Sequence, residues 1–452
     1  MTQHLLHLRS HRTAWFLGSG LLLAAAIWSL WQWGPWTGPR NAYRYPFERS
    51  ERGQITQDLN REMAFYRDRL QHDPDGGLNR ASLAQTYLKM ARATGETSWY
   101  LLAEQTAQDS LAKLSFDNDG ALLALARVNL AKHDFNAAIR MAKQVQDTDS
   151  ALPTLAAAYL ATGNVTAARQ AVDTLAAQTP NLGALTLRGL VQLAQGQDGA
   201  AIADFQRAIA LEEAGETGGS VYTRTLLGRL YFKRGQLQQA EQLYRESLRV
   251  LPDYAPARLN LAELEVRQGQ YDAADQTYNQ FLFTARKTPT VYDHVALRGI
   301  IRVKTLQGKV QEAEQWRDRA ERRLRQDMAT FGHQRELAQL LLERGQPQDL
   351  REALTLIEAE AQVRRDSETF STLAKVLAKL GRWSDARQAM ALALVPGIRD
   401  AGLFRQMAQI EAQLDHATLS QDWMQRAKQI DPAFDQRAEN AQGLGVGLLG
   451  LN

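Results

Sequence analysis

The chain has 452 residues, 44% of them apolar and 23% charged, the proportions of a folded rather than a disordered polypeptide. Its 53 basic and 50 acidic side chains leave a formal net charge of +3, without the clustered positive field that phosphate backbones require, so no nucleic acid partner is expected. Cysteine is absent, which excludes disulfides, thiolate metal sites, a cysteine nucleophile and a lipid-modified N-terminal cysteine.

Residues 1–13 form a short leader carrying Arg9 and Arg12, and residues 14–36 follow as an apolar segment. From Ala14 to Trp31 no residue is charged, and only Ser19 and Ser29 are polar. The stretch has about the ~20 residues a helix needs to cross hydrocarbon. Trp15 stands near one end and Trp28, Trp31, Trp33 and Trp36 near the other, where amphipathic indoles settle at headgroup level. The expectation is a single transmembrane helix in contact with membrane lipid. A cleaved signal peptide with Ala24, Ala25 and Ala26 at its cleavage site is the competing reading. The apolar run continues through Ile27, Trp28, Leu30 and Trp31, which favours an uncleaved anchor. The short leader favours a cytoplasmic N-terminus and a remainder on the periplasmic or external side, whereas Arg40, Arg44, Arg49 and Arg52 argue for the reverse.

Residues 37–54 read as a juxtamembrane linker whose Tyr43, Tyr45 and Phe47 mark the end of the interfacial belt. Residues 55–77 read as a capping helix and turn. Leu59, Met63, Tyr66 and Leu70 recur at spacings of three and four, and His-Asp-Pro-Asp-Gly-Gly at 72–77 stops the helix.

From residue 78 to 435 a helical unit repeats about every 34 residues. Leu227 recurs as Leu261, Gly228 as Ala262, Gly235 as Gly269, Ala240 as Ala274 and Tyr244 as Tyr278, each 34 positions on. Such a period predicts stacked helical hairpins, each burying its apolar face on its neighbours. A small residue where two helices cross recurs as Ala84, Ala126, Ala156, Gly189, Gly228, Ala262, Ala338, Ala374 and Ala408, with Ile301 as the exception. A second small position holds Ala103, Ala138, Ala168, Ala201, Ala240, Ala274, Ala313, Ala353 and Ala386. Gly163, Gly196, Gly235, Gly269, Gly308, Gly345 and Gly381 fall at the turn between helices, where a positive φ suits glycine. Pro180, Pro252 and Pro432 end second helices. The glycine-rich residues 215–219 interrupt the spacing and divide the array into sub-arrays 78–214 and 220–435, joined flexibly. Residues 436–452 are a Gly/Leu-rich tail, either docked in a groove or disordered, disorder being the default for a terminus.

The pattern Leu227-Gly228-x-x-Tyr231, Gly235, Ala240, Tyr244, Pro252 resembles the tetratricopeptide repeat, and Leu155-Ala156-x-x-Tyr159, Gly163, Ala168, Pro180 is a second match. The resemblance spans most of the chain. It implies an all-α fold, a right-handed α-solenoid of about ten such hairpins, preceded by the single transmembrane helix. It also implies protein or peptide segments as partners, bound on the inner face of the first helices. The residues after the first small position, with those one turn before, select Arg127, Tyr222, Arg229, Phe232, Arg298, Arg302 and Lys375, with Arg335 and Arg405 beside them. Arginine with aromatics suits a peptide or an acidic segment, though the same residues also suit an ordinary solvated helix face.

No catalytic constellation is present: no His-Glu-x-x-His pair, no phosphate loop and no Gly-x-Ser-x-Gly elbow. No cofactor or metal is expected. His72, His133, His294, His333 and His416 are scattered and read as solvated turn residues. The expected function is a non-enzymatic, membrane-anchored scaffold or adaptor that assembles or maintains a membrane or envelope complex. The alternative is a regulatory subunit acting on a membrane enzyme or transporter through the 215–219 joint.

Overall fold

The computed structural model describes residues 43–283 and 288–447. The helix expected at 14–36 lies outside them, and among the described residues no helix is long and apolar enough to cross a membrane.

Among the described residues are twenty-two helices. The first, α1 (Gln54–His72), is followed by ten hairpins. These are α2 (Gly77–Thr94) with α3 (Thr97–Lys113), α4 (Asp119–Ala131) with α5 (Phe135–Ala142), and α6 (Thr148–Ala161) with α7 (Val165–Gln178). Next come α8 (Leu182–Ala194) with α9 (Asp198–Ala210), α10 (Thr217–Lys233) with α11 (Leu237–Val250), and α12 (Ala255–Arg267) with α13 (Tyr271–Phe283). The last four are α14 (Asp293–Leu306) with α15 (Val310–Phe331), α16 (Gln334–Arg344) with α17 (Pro347–Val363), α18 (Ser367–Lys379) with α19 (Trp383–Leu394), and α20 (Ala401–Gln413) with α21 (Ala417–Ile430). A six-residue helix, α22 (Gln436–Ala441), closes the series. Helix α1 packs on the first hairpin, burying Leu59 and Met63 in one cluster with Ala84, Tyr87 and Tyr100.

Local chemistry starts and stops these helices. Asn118, Asp134, Asn164, Asn181, Asp366, Asp400 and Asp435 each accept the N–H of the residue three further on. Such a cap contributes about 1 kcal/mol. The seven turn glycines all have φ between 70° and 77°. In the second and tenth hairpins that conformation falls to His133 (φ 62°) and Asp415 (φ 61°) instead.

Close crossings explain the small residues. A Cβ on Gly228 would stand 2.7 Å from the Tyr244 ring, and one on Gly189 would stand 2.9 Å from Phe205. The seventh hairpin departs from this register. Ile301 packs in its own cluster with Ala320 and Leu324. There the close approach belongs to Gly299, whose Cβ would meet the Tyr278 ring of the preceding hairpin at 2.3 Å.

Neighbours in the stack also bond laterally at one period. Arg229 pairs with Glu263 and Arg405 with Glu439, each 34 residues apart, and Ser371 donates to Gln406 at a separation of 35.

The array curls until its later hairpins meet its earlier ones. The turns within the first six hairpins pack against the connections of the later half, along a seam whose partners lie 165 to 231 residues apart. Val291 N–H donates to Gly95 O at 2.9 Å, and Thr97 N–H to Pro289 O at 3.1 Å. Arg365 N–H donates to Ala161 O at 2.8 Å. Lys233 pairs with Asp400 at 2.9 Å, and Arg267 pairs with Asp435 and donates to Ala433 O at 2.6 Å. Seam glycines serve twice. A Cβ on Gly196 would lie 2.2 Å from Gly397 O, and one on Gly235 would lie 2.3 Å from the Asp431 carboxylate. Among the described residues, a Cβ on Gly308 or Gly381, in later hairpins, would meet nothing within 4 Å.

Two further readings change. Tyr45 and Phe47 do not mark a membrane belt; they pack in a cluster with Val221, Val250 and Tyr254, and Tyr45 N–H donates to Glu246 at 2.8 Å. Within the glycine-rich stretch, Thr217, Gly218 and Gly219 form the first turn of α10. Around it the fully buried Arg224 clasps Glu212 with two bonds of 2.6 and 2.7 Å.

Candidate functional site

The first helices of successive hairpins line the interior of the curl, and most of the selected residues converge there. On α10, Arg229 is buried, pairs with Glu263 of α12, and lies 5.1 Å from the Phe232 ring. Phe232 is itself buried, beside a depression shared with Lys233, Arg267, Asp400 and Phe434. Tyr222, two turns before Arg229 on α10, is half-buried, and its hydroxyl has no hydrogen-bond partner among the described residues. On α14, Arg298 and Arg302 both reach Glu343 of α16, at 2.8 and 2.9 Å. Burial raises the Glu343 carboxyl, but the charges of Arg298 and Arg302 outweigh it and hold its pKa at about 2. Arg127 stands apart in the second hairpin, donating to Gln85 at 2.8 Å, and burial lowers its pKa to about 10.

Lys375 on α18 is half-buried, and no hydrogen bond or ion pair to its ammonium occurs among the described residues. Burial lowers its pKa, and the cations Arg298 and Lys233 lower it further. Arg229 Nε and Arg298 Nε are buried and have no hydrogen-bond partner among the described residues. This wall is ion-paired in part and carries unspent donors. It is not a solvated helix face.

The tail is docked, not disordered, as far as residue 447. α22 packs on α12, and Ala441 and Leu444 are fully buried. Leu444 N–H donates to Glu263 at 3.2 Å, and Val446 N–H to Asn260 at 2.7 Å. Tyr278 Oη donates to Leu444 O at 3.0 Å, and Arg302 to Asn440 O at 3.0 Å. Arg298 reaches Gly443 O at 3.4 Å. Asn260, Glu263, Tyr278 and Glu343 were not selected from the sequence. One signal was available: Glu263 stands one period after Arg229, and residues one period apart lie side by side in a stack.

The histidines also differ from expectation. His133, His294 and His333 converge at the seam, with ring centroids 6.0 Å apart for the first and third and 4.9 Å for the second and third. They border a cavity of about 60 Å³ with Arg335, Glu336, Arg364 and tail residues Gly445 to Gly447. Burial, with Arg364 nearby, holds His133 well below the usual imidazole range; burial and His333 hold His294 at about 3. His133 and His294 are neutral packing elements. Among the described residues no group of three His, Asp or Glu side chains is placed to hold a metal ion. Asp366 beside them both caps α18 and accepts from Arg364 at 2.7 Å. Burial raises its carboxyl, and Arg364 and Arg335 outweigh that and keep it ionised.

Two tetratricopeptide repeat family models match the chain, one over residues 180–253 and one over residues 231–297. Residues 180–297 thus carry tetratricopeptide repeats, and the helical architecture on either side is consistent with an array of them. A comparison with curated proteins finds no match.

Proposed function

We propose that this chain is a non-catalytic, membrane-anchored scaffold that holds protein partners along the interior wall of its hairpin array, in service of a membrane or envelope complex. The observation that supports this reading is the Lys375 ammonium, a half-buried cation on that wall with no hydrogen bond or ion pair among the described residues. A partner supplying a carbonyl or carboxylate oxygen would satisfy it. Repeats of this architecture build long concave surfaces suited to extended polypeptide. The uncharged run of residues 14–31 supports the anchor, and the short leader supports an array on the periplasmic or external side.

Affinity capture from detergent-solubilised membranes tests the reading. The full chain retains a set of proteins that a Lys375→Glu chain retains poorly. A partner set indifferent to both the array and Lys375 refutes it. For the anchor, the full chain resists alkaline extraction from membranes and a chain starting at Tyr43 does not. Protease added to sealed, oriented vesicles reports which face carries the array.

A further inference from the structure

The residues that touch the tail contact chiefly its main chain. Asn260 and Glu263 accept from the N–H groups of Val446 and Leu444, while Tyr278, Arg298 and Arg302 donate to the C=O groups of Leu444, Gly443 and Asn440. Four side chains from α12, α13 and α14 thus satisfy main-chain donors and acceptors of the non-helical residues 443–446, and Arg302 adds a bond to the last turn of α22. Selectivity comes from two positions. Leu444 is fully buried, so the site encloses an apolar side chain at this position. At Gly445 a Cβ would stand 2.4 Å from both Asn260 Oδ1 and Glu263 Oε2, so a larger residue at the next position must push aside the two side chains that hold the tail, and glycine is favoured there.

We infer that the interior wall of the sixth and seventh hairpins is a peptide site for an apolar residue followed by glycine, and that the chain's own tail occupies it in cis. The partner it fits is a protein with a flexible Gly-Leu-Gly-like segment of little charge, which must displace residues 443–447 to enter. The inference rests on the reading that the interior wall is the partner-binding face. A tail tethered this closely competes at an effective concentration of about millimolar, so it gates entry without a separate inhibitor.

The test uses the full chain and a fluorescent peptide with the sequence of residues 440–447, followed by anisotropy. Gly445→Val in the chain removes the tail from the site while leaving every wall residue in place. The peptide then binds the variant at least about tenfold more tightly than the natural chain. A peptide with alanine at the position of Gly445 binds the variant at least about tenfold more weakly than the parent peptide. Equal binding to both chains, or no binding to the variant at millimolar peptide, overturns the inference. Amide exchange in the natural chain gives a reading independent of the variant's folding: Leu444 and Val446 N–H exchange slowly if the tail is seated, and exchange at random-coil rates overturns the inference. A peptide that fails to bind while membrane partners are still captured sinks this inference alone. A peptide that binds while no partner is captured leaves the cis site standing and removes the scaffold reading.

Discussion

Replacing Gly196 by alanine tests the seam, with Gly308→Ala as the internal reference. Both glycines turn a hairpin with nearly the same backbone, φ 71° and 73°. An alanine held there costs about 1–2 kcal/mol in conformational strain at either site. At Gly308 the new methyl meets nothing within 4 Å among the described residues, so the strain is the expected effect. At Gly196 the methyl would stand 2.2 Å from Gly397 O and 3.1 Å from Arg399 Cγ. Reaching ordinary contact at 3.4 Å requires the connection before α20 to retreat by about 1.2 Å. That connection carries Arg399 O, which accepts from Arg234, and Asp400, which holds Lys233. Overpacking of this kind adds about 1–3 kcal/mol, for a total of about 2–5 kcal/mol at Gly196. Urea unfolding followed by circular dichroism measures both variants. A repeat array with nearest-neighbour contacts alone is prone to unzip in stages, whereas one closed by a seam unfolds more cooperatively. The expected result is a larger loss for Gly196→Ala together with faster exchange of the Arg365 and Val291 amides, whose acceptors lie across the seam. Losses equal within about 0.5 kcal/mol, with unchanged exchange, would falsify the claim that the seam carries stability.

Glu343→Gln leaves Arg298 and Arg302 facing each other without their shared carboxylate, and a thermal shift assay should report a loss of about 3 kcal/mol or more. Asp400→Asn keeps the α20 cap and removes the ion pair with Lys233, while Asp400→Ala removes both; chemical denaturation should rank the alanine variant about 1 kcal/mol below the asparagine one. Stability should fall as pH drops below about 6.5, because the unfolded chain protonates His133 and His294 while the folded chain keeps both neutral, His294 down to about 3. Glu360 opposes this: burial and Glu336 raise its pKa to about 7, so its contribution is full at acid pH and is lost between about 4.5 and 7. These three groups leave about one more proton on the unfolded chain between pH 4.5 and 6.5, and His294→Gln should flatten the slope of unfolding free energy against pH in that window. A slope that steepens instead would contradict the assignment of His294 as a neutral packing group.

What could be read in advance was local or one period deep. Turn glycines, cap residues and small crossing positions act on neighbouring helices, so the 34-residue recurrence carried them and the count of about ten hairpins with it. Ile301 misled because the recurrence indexes positions, not packing, and the close approach had moved to Gly299. The histidines misled for a related reason. His133 was recognisable as a turn residue, but its burial depends on His333 and Arg364, some 200 or more residues onward.

The amino-acid order by itself determined the hairpins, their number and the side chains their first helices present, because each of those rests on contacts within about one repeat. Tertiary structure alone decided that the array closes on itself, that the inner arginines are already engaged, and that the tail lies among them. Closure is the sum of small rotations between successive hairpins, and no single residue or spacing records that sum.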